Sequence, residues 1–169
     1  MSEIQDRASR FLAALQARQE DRGFMADLRR GFSEATADRT WPHIAPWCDL
    51  TNTRQRIIYQ TISAAFSTQS QTTKKGNMGD LMHNLAVGDG HGEEGLKTFD
   101  GRFRRFLSCA SAREVCTRLP GVIRAAAARN IPLNHVQLLV DLWSWDWGDH
   151  AKLRWARAYW SRETTGEES

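Results

Sequence analysis

The side chains of this sequence best suited to binding chemistry are arginines. Between Phe99 and Arg129 the segment FDGRFRRFLSCASAREVCTRLPGVIRAAAAR carries seven of them (Arg102, Arg104, Arg105, Arg113, Arg118, Arg124, Arg129) against two acids, Asp100 and Glu114. At about 100° per residue, Phe99, Phe103, Phe106, Leu107 and Ala110 share one helical face, with Arg102 and Arg105 on one flank and Arg104 on the other. Such a helix buries its aromatic stripe and still presents guanidinium forks to an anion. The bland alternative is a solvated face. Against it stands the scarcity of counter-charge, because a merely solvated helix usually interleaves Glu four residues before Lys or Arg, and such pairs are almost absent here.

Other chemistry is thin. The five histidines (His43, His83, His91, His135, His150) are scattered, without HExxH or Cys/His pairing at ligand spacing, so no metal site is expected. No GxxxxGK[ST] loop, strand-borne GxGxxG or GxSxG elbow occurs, and GDGHG lies in an acidic stretch that repels phosphate. Glu93 and Glu94 are adjacent acids with nothing beside them to raise a pKa. Cys48, Cys109 and Cys116, odd in number and set in apolar patterns, read as buried free thiols. No cofactor and no catalysis are expected.

The elements that must position the arginines read as helix after helix. Residues 4–20 place Ile4, Ala8, Phe11, Leu12 and Leu15 on one stripe behind a Ser2/Gln5 capping box. A second helix turns Phe24, Leu28, Phe32 and Ala35 inward beside Arg29 and Arg30, and TWPHIAPW (40–47) is a short turn pinned by Trp41 and Trp47. A third helix, capped by Thr51 or Thr53, carries Arg54 and Arg56 in its first turn and Ile58, Ile62, Ala65 and Phe66 in the core. Residues 67–77 (STQSQTTKKGN) lack any large apolar side chain and predict an exposed, mobile loop bearing Lys74 and Lys75. From Leu50 to Gly79 no acid occurs, which makes a second basic zone.

After a short helix with Leu81, Met82 and Leu85 inward, VGDGHGEEG (87–95) predicts a linker. A Ser111/Glu114 capping box starts a helix that Pro120-Gly121 should break or kink. Leu138, Leu139, Leu142 and Trp143 mark an apolar helix, SWDWGD (144–149) a corner, and Leu153, Ala156, Tyr159 and Trp160 the last helix. The run WSWDWGDHAKLRW is open to reading as a base-stacking platform, but Trp147, four residues from Trp143 on the face of Leu139, is expected in a core or subunit interface, and Trp145 and Trp155 are the candidates for exposure. The fold class is therefore all-α, with two packed helical units, 1–90 and a bundle-like 91–163, and an acidic tail at 164–169.

With 41% hydrophobic residues, net charge +3 and mean hydropathy −0.55, the chain reads as globular and cytoplasmic. No apolar run approaches the roughly 20 residues of a membrane span, and no membrane partner is expected. Of the 23 basic residues 19 are Arg, the residue suited to phosphate, although a GC-rich genome enriches Arg as well.

The ordered set of Arg-Arg on the second helix, WPxIxPW, KKGNMGDLMHNLA, RFRRFLSCASAREVCTRL and IPLNHVQLLVDLWSWD resembles the CasB family, small subunits of the type I-E CRISPR Cascade complex. The resemblance spans nearly the whole chain. It implies an all-helical, non-enzymatic protein that pairs head to tail with a second copy, contacts other Cascade subunits and the crRNA-bearing backbone, and helps hold target DNA and the displaced strand. Its basic surface carries over to Arg29, Arg30, Arg54, Arg56, Lys74, Lys75, Arg102, Arg105 and Arg118, with Lys152 weakened by the Trp-rich corner before it. Two rivals belong to other classes: a structural helical adaptor whose arginines bind proteins, and a helix-turn-helix regulator, for which no compact recognition helix is found.

Overall fold

The computed structural model describes residues 2–88 and 92–161. Nine α-helices occur among them: α1 (Glu3–Ala17), α2 (Arg22–Arg29), α3 (Trp41–Ile44), α4 (Thr53–Thr68), α5 (Met78–Val87), α6 (Gly92–Leu107), α7 (Ala112–Ala128), α8 (His135–Ser144) and α9 (His150–Trp160). No strand accompanies them among the described residues, only an isolated bridge between Thr72 and Leu133. The chain is thus all-α, as its periodicity predicts. The centre of the expected linker, 89–91, and the acidic tail, 164–169, lie outside the described residues. No helix among those described is long and apolar enough to cross a membrane.

The central element is α4, which packs on α2, α3, α7 and α8. Its residues from Ile57 to Ser67 are all buried, so the polar ones must find partners inside the protein. Gln60 accepts from Trp41 Nε1 (2.7 Å) and donates to Glu34 Oε1 (3.1 Å). Ser67 Oγ donates to the Met25 carbonyl (2.7 Å). On the other side α5 packs between α6 and α9, and Phe103 of α6 stacks on Tyr159 of α9 with centroids 4.0 Å apart. Buried residues from both sides of residue 90 join one apolar cluster.

Several local expectations are corrected. The cap of α4 is Asn52, whose side chain accepts from Gln55 N, while Thr51 bonds Asp49 instead. Helix α2 stops at Arg29 in a 3-10 turn over Arg30–Phe32. There Gly31 lies so close to α4 that a Cβ would come within 2.3 Å of the Gln60 carbonyl oxygen, and Ala35 beyond it is exposed. Gly92–Gly95 form the first turn of α6 rather than linker. Ala110 follows the end of α6 and is exposed. Pro120 does not break α7, which runs through it. That helix ends where Asn130 takes a left-handed φ of 56° and Ile131 N reaches back to the Ala126 carbonyl, a helix-terminating geometry that asparagine tolerates.

The loop after α4 also packs, without apolar side chains. Leu133 N donates to Gln71 O and Thr73 N to Leu133 O (3.0 and 3.1 Å). Gln69 Nε2 donates to the Ile131 carbonyl (2.7 Å), and His135 Nε2 contacts the Gln69 carbonyl (2.8 Å). Polar groups spaced some sixty residues apart satisfy one another here, so a composition rule based on apolar content does not apply.

Within the single chain the tryptophans exchange the expected core and surface places, while the subunit-interface alternative for Trp147 concerns a second chain. Trp145 and Trp155 are 1% and 0% exposed, whereas Trp147 is 71% and Leu153 64% exposed. Helix α8 gives way at Ser144 to a 3-10 turn, Trp145–Trp147, which shifts the phase and swings Trp147 out. Trp145 Nε1 donates to the Cys109 carbonyl (2.9 Å), and Trp155 Nε1 to the buried Asp141 carboxylate (2.8 Å). The inner face of α9 is accordingly Ala151, Trp155 and Tyr159.

Candidate nucleic-acid interface

The nine basic positions singled out from the sequence occupy four places. Arg29 and Arg30 are exposed at the end of α2, and Lys74 and Lys75 on the loop before α5. Arg54 and Arg56 stand in the first turn of α4 but are turned toward the protein. The Arg54 guanidinium pairs with Asp146 and donates to the Leu142 carbonyl (2.9 Å) and the Trp143 carbonyl. Arg56 donates to the Leu50 carbonyl (2.8 Å), and its Nε is buried without a partner. No acid near them in sequence hinted at this, since Asp146 lies 92 residues away from Arg54.

Arg102, Arg105 and Arg118 come together. They line one open cleft of about 500 Å³ between α6 and α7, with Phe106, Glu114 and Thr117 completing its walls. The aromatic stripe of α6 seats Phe103 and Phe106 in the core, which holds Arg102 and Arg105, three residues apart, on the rim. On α7, buried Val115, Cys116 and Leu119 leave Glu114, Thr117 and Arg118 facing the same gap. Arg102 is steadied by its own helix, its guanidinium carbon 5.3 Å above the Phe99 ring. Among the described residues none of these three arginines forms an ion pair, in contrast to Arg104, which pairs with Asp100 at 2.6 Å and holds that carboxyl below its usual range.

Glu114 and Thr117 escaped the sequence reading as cleft residues, although Glu114 stands three residues before Thr117 and four before Arg118, spacings that make it a neighbour of both on the helix surface. Glu114 Oε2 accepts from Ala110 N (3.0 Å), while Ser111 Oγ accepts from Glu114 N (3.2 Å). Its carboxylate therefore anchors the start of α7 and leaves the cleft with net positive charge. Under the cleft, burial pushes the Cys109 thiol up, partly offset by Arg118. Burial raises Cys116 to about 12 and Cys48 to about 11, so all three thiols are poor nucleophiles.

Two ionisable side chains of α5, Asp80 and His83, are engaged within the fold. Asp80 takes the Asn77 N–H (2.8 Å) in the capping box of α5. His83 Nδ1 lies 2.9 Å from the Tyr159 carbonyl. Among the described residues no group of three His, Cys, Asp or Glu side chains is placed to hold a metal ion. The cleft can neutralise and orient an anion through guanidinium groups.

Residues 24–160 match the family of CRISPR-associated protein Cse2. Two solved structures from Thermus thermophilus share the fold. One, a CRISPR-associated protein of the Cse2 family, superposes with a TM-score of 0.74 at 20% identity, covering 95% of this chain and 99% of the other. The second, CasB, gives 0.71 at 21% identity with the same coverages, 95% and 99%. No curated protein matches the chain.

Proposed function

The chain belongs to the CRISPR-associated Cse2 family, and from that membership we propose that it is a non-catalytic small subunit of a type I-E Cascade complex serving antiviral defence. In this reading it works in the cytoplasm beside other Cascade subunits and a second copy of itself. It binds crRNA and target DNA without reading sequence and steadies the target and displaced strands. The division into helical units 1–90 and 91–163 belongs to the same proposal.

The observation that carries it is the convergence of Arg102, Arg105 and Arg118 on one open cleft without ion pairs among the described residues. Guanidinium groups at a surface with no carboxylate bound to them suit phosphate oxygens, and contacts of that kind position a backbone without reading its bases. Arg29, Arg30, Lys74 and Lys75 supply further exposed charge, while Arg54 and Arg56 act first on the fold. The test is the salt dependence of nucleic-acid binding by the Arg102→Ala/Arg105→Ala/Arg118→Ala variant. Its log-log slope should be shallower by about 0.7 for each lost single-strand phosphate contact, with an unchanged helical spectrum. An unchanged slope in the folded variant would leave the adaptor reading standing.

A further inference from the structure

Trp147 is the most exposed large apolar side chain among the described residues, at 71%, yet it is not loose. The Arg54 guanidinium carbon lies 4.2 Å from the centroid of its ring. That guanidinium is in turn held by Asp146, the Leu142 carbonyl and the Trp143 carbonyl. Asp146 Oδ1 also accepts from Ala112 N (2.8 Å), the first residue of α7. One indole is thus fixed against a cation that belongs to the protein's interior network, with the rest of its surface facing solvent. A rigid, water-exposed indole loses hydrophobic stabilisation unless something flat covers it.

We propose that Trp147 is a stacking platform for an unpaired nucleobase of a strand whose phosphates lie along α7. Three observations favour a base over an apolar protein side chain. The platform is joined through Asp146 to the first turn of α7, where Arg113 is exposed and forms no ion pair among the described residues. Arg118 stands five residues on along the same helix, about 7.5 Å of rise and about 140° of turn away, and Thr117 borders both the hollow that Arg113 lines and the arginine cleft, so one short stretch of strand crossing α7 at Thr117 reaches from the platform to the cleft. Asp146, the acid beside the ring, is neutralised by Arg54. Asp149, exposed two residues further on, repels phosphate on its own side and sets the direction of the strand toward α7.

Stacking tolerates any base, which agrees with binding that does not read sequence, and it demands an unpaired one. The inference rests on the nucleic-acid reading above and adds to it a preference for single strands. Its test uses the full-length protein with a single-stranded DNA oligomer containing 2-aminopurine, and the same oligomer annealed to its full complement as a blunt-ended duplex. Trp147→Ala should weaken the single strand roughly 5- to 100-fold, abolish the quenching of 2-aminopurine and leave duplex affinity unchanged, whereas Trp147→Phe should retain most binding. Equal losses on single strand and duplex, or no loss on either, would overturn the platform. So would a Trp147→Ala defect confined to self-association or subunit capture. If the cleft variant flattens the salt slope while Trp147→Ala binds as wild type, the stacking inference fails and the phosphate reading survives.

Discussion

Gly79 gives the sharpest test of how α5 and α9 are seated. It lies in the first turn of α5, and a Cβ built there would come within 2.1 Å of the Trp155 carbonyl oxygen, 2.8 Å of its carbon and 3.0 Å of Ala158 Cβ. Two of these are backbone atoms in the middle of α9, so no side-chain rotation relieves the clash. Overpacking of a close contact costs about 1–3 kcal/mol, and a backbone clash belongs at the upper end. Replacing Gly by Ala inside a helix returns about 1 kcal/mol of propensity. The net expectation for Gly79→Ala is a loss of about 2 kcal/mol, or roughly 4–8 °C in Tm for a chain of this size. Gly101 is the control: it is a helical glycine of α6 whose added Cβ meets nothing within 4 Å, and Gly101→Ala should raise Tm by a few degrees through propensity alone. Differential scanning calorimetry of the two variants reads both signs. A Gly79→Ala protein melting at or above wild type would refute the close approach of the two helices.

Three more outcomes follow from the same contacts. Burial lowers the His135 pKa from 6.5 to about 4, so the unfolded chain takes up the proton first; the stabilisation is complete above pH about 6.5 and is lost as pH falls toward 4, by about 3 kcal/mol in all, and denaturant titrations of wild type and His135→Gln should show this slope only in wild type. The buried Asp141 carboxylate holds Gln137, Arg154 and Trp155; Asp141→Ala leaves the indole N–H unpaired and should cost at least about 1–3 kcal/mol, read as a lower denaturation midpoint at unchanged m. Glu114→Gln keeps an acceptor for Ala110 N while removing the negative charge of the cleft, and since a unit charge at contact distance in water is worth about 1 kcal/mol, it should tighten single-strand binding up to about fivefold at low salt; weaker binding would contradict the geometry of the cleft.

What the sequence made legible was local. Helix faces followed from apolar spacing, and the caps at Ser2 and Ser111 from residue types three apart, because those signals act within one turn. The enclosure of α4 was not legible, since Gln60 and Ser67 look like surface residues until Trp41, Glu34 and Met25 are brought to them. Phase errors explain the tryptophans: one 3-10 turn after Ser144 is enough to exchange Trp145 and Trp147 between core and solvent. In the candidate site, Arg102 and Arg105 were readable as a flank of the aromatic stripe. Their meeting with Arg118 depends on how α6 lies beside α7, and the inward turn of Arg54 depends on Asp146, both long-range facts that no window of sequence contains.

The central claim is that the cleft between α6 and α7 lies against a nucleic-acid backbone. A photo-crosslinking amino acid in place of Thr117, which lines that cleft beside Arg118, tests it in the assembled ribonucleoprotein with labelled crRNA and target DNA. The expected result is a crosslink to nucleic acid that disappears when Arg102, Arg105 and Arg118 are replaced by Ala. Crosslinks that go only to a protein subunit, with nucleic acid unlabelled, would contradict the account.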